Sequence, residues 1–205
     1  RAAVAGVLHP LMAADAVGCL LVLGCLLSGS RRVRLWGTPG LCVAAVGVAA
    51  MLWKQAAPDS EIYRQVAVTR YYWFLSEWRW YELVGLGAPL MILAAIAFGR
   101  RREGDAARVA LARMAVASGV AAVAVAALFA RVTTASYVVA RLQPLRVFQL
   151  VYVVMILVVG ATLAEKVLRK RPVFWATALI VLCGVMLLVE RQAFPSSAHI
   201  ELQDR

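Results

Sequence analysis

Six long runs of apolar residues, each almost free of charge, constrain this chain more than any other feature of its sequence. A helix needs about 20 mostly apolar residues to cross the hydrocarbon core of a bilayer. The runs lie at Ala3–Leu27, Pro39–Ala57, Tyr81–Phe98, Ala107–Ala130, Leu145–Leu163 and Pro172–Val189. We therefore predict an all-α, polytopic transmembrane helix bundle of about six spanning helices plus a short interfacial helix, in a single transmembrane domain over residues 1–205.

The composition supports a membrane protein and excludes several other classes. Apolar residues make up 63% of the chain and charged residues 16%, whereas soluble domains average about 45–50% and about 25%. A soluble enzyme, a disordered chain and a disulfide scaffold are therefore excluded. The runs are also much longer than the roughly 10 alternating residues of a barrel strand. Because the chain starts at Arg1 without a recognisable signal peptide, we expect a fragment of a longer protein.

The cysteines give no sign of a metal centre or a disulfide. All four lie inside apolar runs, at Cys19, Cys25, Cys42 and Cys183. They form neither a CxxC pair nor a cluster with zinc-ligand spacing. We predict that they act as small buried hydrophobes, and no metal or cofactor is predicted. Nucleotide-binding and hydrolase motifs are also absent from the sequence.

The distribution of basic residues predicts the orientation of the chain. The first, third and fifth connections hold 12 of the 22 basic residues and only three of the 11 acidic ones. Basic residues in short loops favour the cytoplasmic side. We therefore expect a multi-pass membrane protein in which these connections are cytoplasmic and both termini of this chain are external. Because the excess charge lies beside the spans, it predicts contact with anionic membrane lipids and excludes nucleic acid as a partner.

An aromatic stretch precedes the third span on the predicted external side. Seven of the thirteen residues from Arg70 to Glu82 are aromatic. One interpretation is an interfacial aromatic belt. The other is a surface that binds a lipid or a sugar, on which Trp80 stacks while Glu77 and Arg79 bind hydroxyl or phosphate groups. On a helix, Arg79 and Glu82 are also spaced to pair.

The first span contains ionisable residues that are unusual within a membrane. His9 precedes Pro10, which favours a kink or a helix start, and Asp15 follows in the outer half of the span. Charged groups at that depth usually face a polar cavity or a partner. His9 and Asp15 lie about 120° apart on a straight helix, so they do not form a metal pair by themselves. They remain candidates for a binding site or for a structural role.

The external entry to the fifth span carries a second polar group of residues. Pro144 suits a helix start, and Arg146 and Gln149 then fall on adjacent turns of one face. The planar, permanently charged fork of arginine suits phosphate, so Arg141 and Arg146 are candidate phosphate contacts. Arg131 is a further candidate. The alternative is that these arginines only extend to the membrane interface.

Three short segments resemble bacterial multi-spanning proteins similar to the C-type glycosyltransferases, which use polyprenyl-phosphate-linked sugars. They are His-Pro-Leu-Met-Ala at residue 9, Ser-Glu-Trp-Arg-Trp-Tyr-Glu at residue 76 and Leu-Gln-Pro-Leu-Arg at residue 142. The resemblance implies that this chain is the C-terminal half of such a protein. It also implies that the catalytic acidic residue lies in an external loop before Arg1. The carrier lipid would then be the partner of the candidate residues above.

Two alternatives to a transferase remain open from the sequence. A transporter subunit needs polar residues or broken helices near the bilayer midplane, and Pro89, with Gly85 and Gly87 before it, is the candidate break. A non-catalytic scaffold subunit would explain the few polar groups in the spans. Close helix packing is predicted at Ala115 and Gly119, and in the second span at Gly40 and Ala44.

Overall fold

A computed structural model of the chain describes residues 10–99, 106–165 and 171–193. In this part of the chain the backbone is helical or irregular and contains no strand. Six helical segments in it are long and apolar enough to cross a membrane. The predicted all-α polytopic helix bundle is therefore confirmed, and the protein is an integral membrane protein with several spans.

The chain divides into two compact units, residues 1–159 and residues 160–205. The helices of the first unit are α1 Pro10–Leu27, α2 Thr38–Gln55, α3 Glu61–Val68, α4 Trp80–Phe98, α5 Ala106–Phe129, α6 Val138–Leu142 and most of α7 Val147–Leu163. Short turns of 3-10 helix lie at Tyr71–Trp73, Leu75–Glu77 and Pro144–Arg146. The second unit contains the end of α7 and the helix α8 Pro172–Ala193.

The helix ends differ from the predicted spans at two places. A π-helical turn at Val33–Gly37 leads directly into α2, so this helical segment begins six residues before Pro39. The fifth span begins at Val138 and is interrupted at Gln143, whereas the prediction began it at Leu145. Residues 3–9 of the first predicted span lie outside the described residues. The aromatic stretch, where a short interfacial helix is predicted, forms two 3-10 turns and the start of α4. A short helix lies just before it, α3, whose first turn is capped by the Ser60 hydroxyl.

Helix α5 is the centre of the first unit and packs against α1, α2 and α4. Its buried positions are mostly small, including Ala115 and Gly119, and small residues let helix backbones approach closely in a membrane. A methyl group added at Gly119 would lie 2.6 Å from Leu90 Cδ2. The predicted contact at Ala115 and Gly119 is therefore confirmed, whereas nothing lies within 4 Å of a methyl group added at Gly40.

Large apolar side chains cover much of the outer surface of the first unit. Leu20, Met91 and Ile156, on three different helices, are 64%, 73% and 64% exposed. Such exposure would cost a great deal in water but not in lipid, where the solvent is itself apolar. The surface of this unit is therefore suited to a bilayer.

Pro89 does not break its helix. Helix α4 runs from Trp80 to Phe98 with Pro89 inside it. A proline has no N–H group to donate to the carbonyl four residues earlier, which here belongs to Gly85. The hydroxyl of Tyr152 on α7 donates a hydrogen bond to that carbonyl instead. The feature that favoured a transporter is therefore a continuous helix with its backbone satisfied by a neighbour.

Two connecting segments, residues 56–79 and 130–146, lie on the same face of the first unit and pack together; we call them the cap. Their shared core contains Phe74, whose ring meets Tyr137 edge-on at a centroid distance of 4.9 Å. Helix α1 begins at this face, as do α4 and α6, while α2 and α5 end there. The cap therefore closes one end of the helices that form the site described next.

Candidate functional site

An apolar groove of about 540 Å³ lies between α1, α2, α5 and the cap. Helices α1, α2 and α5 contribute most of its lining residues. Val139, Leu142, Pro144 and Val147 line it on the side of the cap. Small side chains dominate where the helices face each other, among them Ala14, Gly18, Ala45, Ala49, Ala121 and Ala122. The volume lies within the roughly 300–1,000 Å³ of known small-molecule pockets. The groove therefore has the volume of a small-molecule pocket and a mostly apolar lining.

Asp15 and Arg146, which the sequence placed in separate motifs, come together at the cap end of this groove. Asp15 lines the groove from α1 and lies about 7.5 Å along the helix from Pro10 at 1.5 Å per residue. Arg146 lies between Pro144 and Val147, which both line the groove. Its half-buried guanidinium is close enough to attract the Asp15 carboxylate electrostatically. The carboxylate of Asp15 therefore lies within the electrostatic influence of Arg146 where the apolar groove reaches the cap.

Further polar side chains lie one turn deeper in the groove. Ser118 on α5 lines it beside Cys19 of α1. The Ser118 hydroxyl oxygen is buried and lies next to the Cys19 thiol. Cys42 also lines the groove, and its thiol donates to the Ala117 carbonyl at 3.7 Å. Ser118 is thus a hydroxyl that a bound molecule can use.

A break in the fifth span determines where its two arginines lie. Gln143 has φ 50° and ψ 60°, the left-handed conformation that separates α6 from the following turn. Non-glycine residues adopt this conformation rarely. The chain changes direction there, so that Arg146 approaches the groove while Arg141 stays on the cap. The predicted helix start at Pro144 is confirmed as the start of the short 3-10 turn.

Arg141 is tied to the cap by an ion pair with Asp59. Its Nη2 atom lies 2.8 Å from Asp59 Oδ1, and its guanidinium lies over the ring of Tyr63 at 5.1 Å. The second carboxylate oxygen of Asp59 accepts a bond of 2.6 Å from the backbone N–H of Tyr137. Asp59 also donates its own N–H to the Ala135 carbonyl at 2.9 Å. This arrangement joins the two segments of the cap and already compensates the charge of Arg141.

The aromatic stretch forms part of the cap rather than of the groove. Trp80 is 74% exposed, and Glu77 and Arg79 are exposed as well. The backbone N–H of Arg79 donates to the Glu82 carboxylate at 2.7 Å, so Glu82 caps the first turn of α4. The Arg79 side chain donates to the Tyr81 hydroxyl at 3.4 Å. The predicted proximity of Arg79 and Glu82 therefore takes the form of a helix cap.

The remaining predicted site residues are not brought into the groove. Gln149 is exposed and is not one of the groove-lining residues. His9 lies outside the described residues. Arg131 donates its Nε–H to the Ala127 carbonyl at 2.8 Å and so caps the end of α5. No group of three or more His, Cys, Asp or Glu residues in the described part of the chain could hold a metal ion.

Sequence reasoning missed two residues that matter here. Asp59 follows a proline in a connecting segment, where an isolated acidic residue looks like an ordinary solvated loop position. Its role depends on a partner 82 residues away. Ser118 is a single hydroxyl in an alanine-rich span, and only helix packing shows that it faces a groove. An inspection of every polar residue within the spans would have found Ser118.

No protein-family description, curated protein or solved structure matches this chain.

Proposed function

We propose that this membrane protein binds a polyprenyl-phosphate-linked sugar and forms part of a glycosyltransferase that acts at the outer leaflet. One observation carries the proposal: an apolar groove ends beside Arg146. A lipid chain gains free energy by contact with the groove walls, and a phosphate is matched by the guanidinium fork. The resemblance of the three sequence segments to C-type glycosyltransferases supports the same substrate.

In the proposed reaction, an acceptor oxygen forms a bond to the sugar carbon while the bond from that carbon to the phosphate oxygen breaks. Arg146 would stabilise the charge that develops on the departing lipid phosphate. The acceptor must also lose its proton to a base. The residues to which this proposal gives roles bind the lipid and stabilise the leaving group, and none of them is assigned as that base.

Photo-crosslinking tests whether the lipid chain occupies the groove. A polyprenyl phosphate that carries a benzophenone on its chain should label α1 or α2 in nanodiscs. Ala45→Phe places a phenyl ring in the groove and should lower the labelling at least about fivefold, since the ring occupies space that the lipid chain needs. Val43→Phe is the matched control, because Val43 lies on the same helix, is 72% exposed and is not a lining residue. Equal labelling of the two variants would contradict the proposal.

Arg146→Ala tests the phosphate contact. Loss of a charged hydrogen-bond donor costs about 1.5–3 kcal/mol, so binding of a polyprenyl phosphate analogue should weaken by about tenfold or more. Arg34→Ala is the control, because Arg34 is exposed and lies in the turn before α2, at the opposite end of that helix from the cap. If Arg146→Ala binds like the unchanged protein, Arg146 is not part of the site.

We also propose that the cap faces the exterior of a bacterial inner membrane. The positive charge that the sequence concentrates in the first, third and fifth connections supports this orientation. After replacement of the four natural cysteines, Ser60→Cys on the cap should react with an impermeant maleimide in intact cells. Ser30→Cys, in the connection between α1 and α2, should react only after permeabilisation. The reverse pattern would overturn the orientation.

A further inference from the structure

The two charged side chains at the cap end of the groove, Asp15 and Arg146, have opposite signs. Asp15 contributes a carboxylate from α1, and Arg146 contributes a guanidinium from the turn before α7. The nearest arginine along the chain on the cap side, Arg141, is paired with Asp59. A ligand that brings its phosphate to Arg146 must therefore accept a carboxylate as a neighbour. This requirement restricts the charge that the ligand can carry.

The type of phosphate decides how severe this restriction is. A phosphate monoester carries about −1.5 to −2 charges at pH 7, whereas a diester has lost one ionisable oxygen and carries one. The extra charge of the monoester is repelled by Asp15 at short range, and repulsion is strong where water is scarce. A diester avoids that extra repulsion. If the group on its second ester carries hydroxyls, these can donate to Asp15, because an ionised carboxylate is an acceptor and cannot donate.

The groove and the turn at its end thus offer a cation, an acceptor and a hydroxyl in a defined order. Arg146 suits the phosphate, Asp15 suits a hydroxyl donor, and the Ser118 hydroxyl lies one turn deeper. The apolar remainder of the groove suits a lipid chain. We propose that Asp15 is a specificity-determining residue, which makes the groove select lipid phosphodiesters with a hydroxylated headgroup over lipid phosphomonoesters with the same chain. The inference rests on the proposed function, because it requires a lipid phosphate in this groove.

Competition between matched lipids tests this selectivity. The purified chain is reconstituted in phosphatidylcholine nanodiscs, and bound lipid is measured by native mass spectrometry. One pair of probes is a polyprenyl phosphate and its glucosyl diester; the other is dioleoyl phosphatidic acid and dioleoyl phosphatidylglycerol. We expect the diester to be preferred at least about tenfold within the pair that binds, which one short-range charge contact can supply. The pair that binds better shows whether the bound lipid is a polyprenyl lipid or a glycerophospholipid.

Variants of Asp15 separate its charge from its shape. Asp15→Asn removes the negative charge and should reduce the preference to about threefold or less, mainly by improving monoester binding. Asp15→Glu keeps the charge and should keep a preference for the diester. Glu61→Gln is the control, because Glu61 is an exposed carboxylate on α3 of the cap and does not line the groove. It should leave the preference unchanged.

The possible outcomes distinguish this inference from the function on which it rests. If Arg146→Gln and Ala45→Phe leave the binding of every probe unchanged, no lipid phosphate occupies the groove and the proposed function fails. If those variants reduce binding but Asp15→Asn keeps the tenfold preference, the proposed function stands and the role of Asp15 is refuted. Loss of the preference in Asp15→Asn, with retention in Asp15→Glu, supports the inference. Retained secondary structure and thermal stability identify the variants that are suitable for comparison.

Discussion

The hydroxyl of Tyr152 should stabilise the fold only because Pro89 is present. Pro89 leaves the Gly85 carbonyl without its intrahelical donor, and Tyr152 supplies the missing hydrogen bond from α7. Tyr152→Phe should then leave this carbonyl unsatisfied in an apolar environment. Individual interhelical hydrogen bonds in membranes contribute about 0.6 kcal/mol on average and up to about 1.7. A carbonyl left without any partner costs about 1–3 kcal/mol, so we expect about 1.5 kcal/mol.

A double-mutant cycle isolates this contribution. In Pro89→Ala the N–H of residue 89 can donate to the Gly85 carbonyl, so Tyr152→Phe should cost about 0.5 kcal/mol or less in that background. The coupling between the two substitutions should therefore be about 1 kcal/mol. The free energy of unfolding can be measured by titration with sodium dodecyl sulfate in mixed micelles, with tryptophan fluorescence as the signal.

The result that refutes this reasoning is an equal cost of Tyr152→Phe in both backgrounds. It would show that the hydroxyl contributes in some way that is independent of the proline. Tyr72→Phe serves as a control for the loss of a tyrosine hydroxyl as such, because the Tyr72 side chain is half exposed on the cap. We expect a change within about 0.5 kcal/mol for this surface substitution.

Three further substitutions test the packing of the helices and the cap by thermal unfolding in detergent. Asp59→Ala removes the acceptor of Tyr137 N–H and Arg141 and should cost about 2 kcal/mol; an unchanged midpoint would mean that the cap holds without it. Gly119→Ala forces a methyl group towards Leu90 and should cost about 1–3 kcal/mol, whereas Gly47→Ala, with nothing within 4 Å of the new methyl group, should not destabilise. Gln143→Gly relieves a left-handed backbone and should stabilise by up to about 1 kcal/mol; a clear loss of stability would contradict the backbone argument.

The fold class follows from the sequence because the bilayer imposes it on each segment separately. A run such as Pro172–Val189 has the length and hydropathy of a span whatever its neighbours do, and its observed helix, Pro172–Ala193, agrees closely. The fifth span was less predictable. The sequence predicted a helix start at Pro144, but helical structure begins at Val138. Apolar residues on both sides of Gln143 line the same groove, so the segment before Gln143 belongs to the packed bundle as well.

The candidate site required more than local pattern. The sequence marked Asp15 and Arg146 as costly charges near a membrane, since an ionisable residue in a span is unusual by itself. It did not indicate that their charges influence each other, because 130 residues separate them and several helix arrangements are compatible with the same hydropathy. It also treated Arg141 and Arg146 alike, although one is bound to Asp59 and the other lies at the groove.

The sequence by itself determined that this chain is helical, that it crosses a membrane several times and which of its residues are costly there. Each of these properties depends on the free energy of a single segment in water or lipid, which length and composition report. Only the tertiary structure decided that Asp15 and Ser118 line one groove, that the turn carrying Arg146 lies at its end, and that Tyr152 completes the helix around Pro89. These pairings depend on which small side chains let the helices approach, and that contact energy belongs to the packed bundle rather than to any one segment.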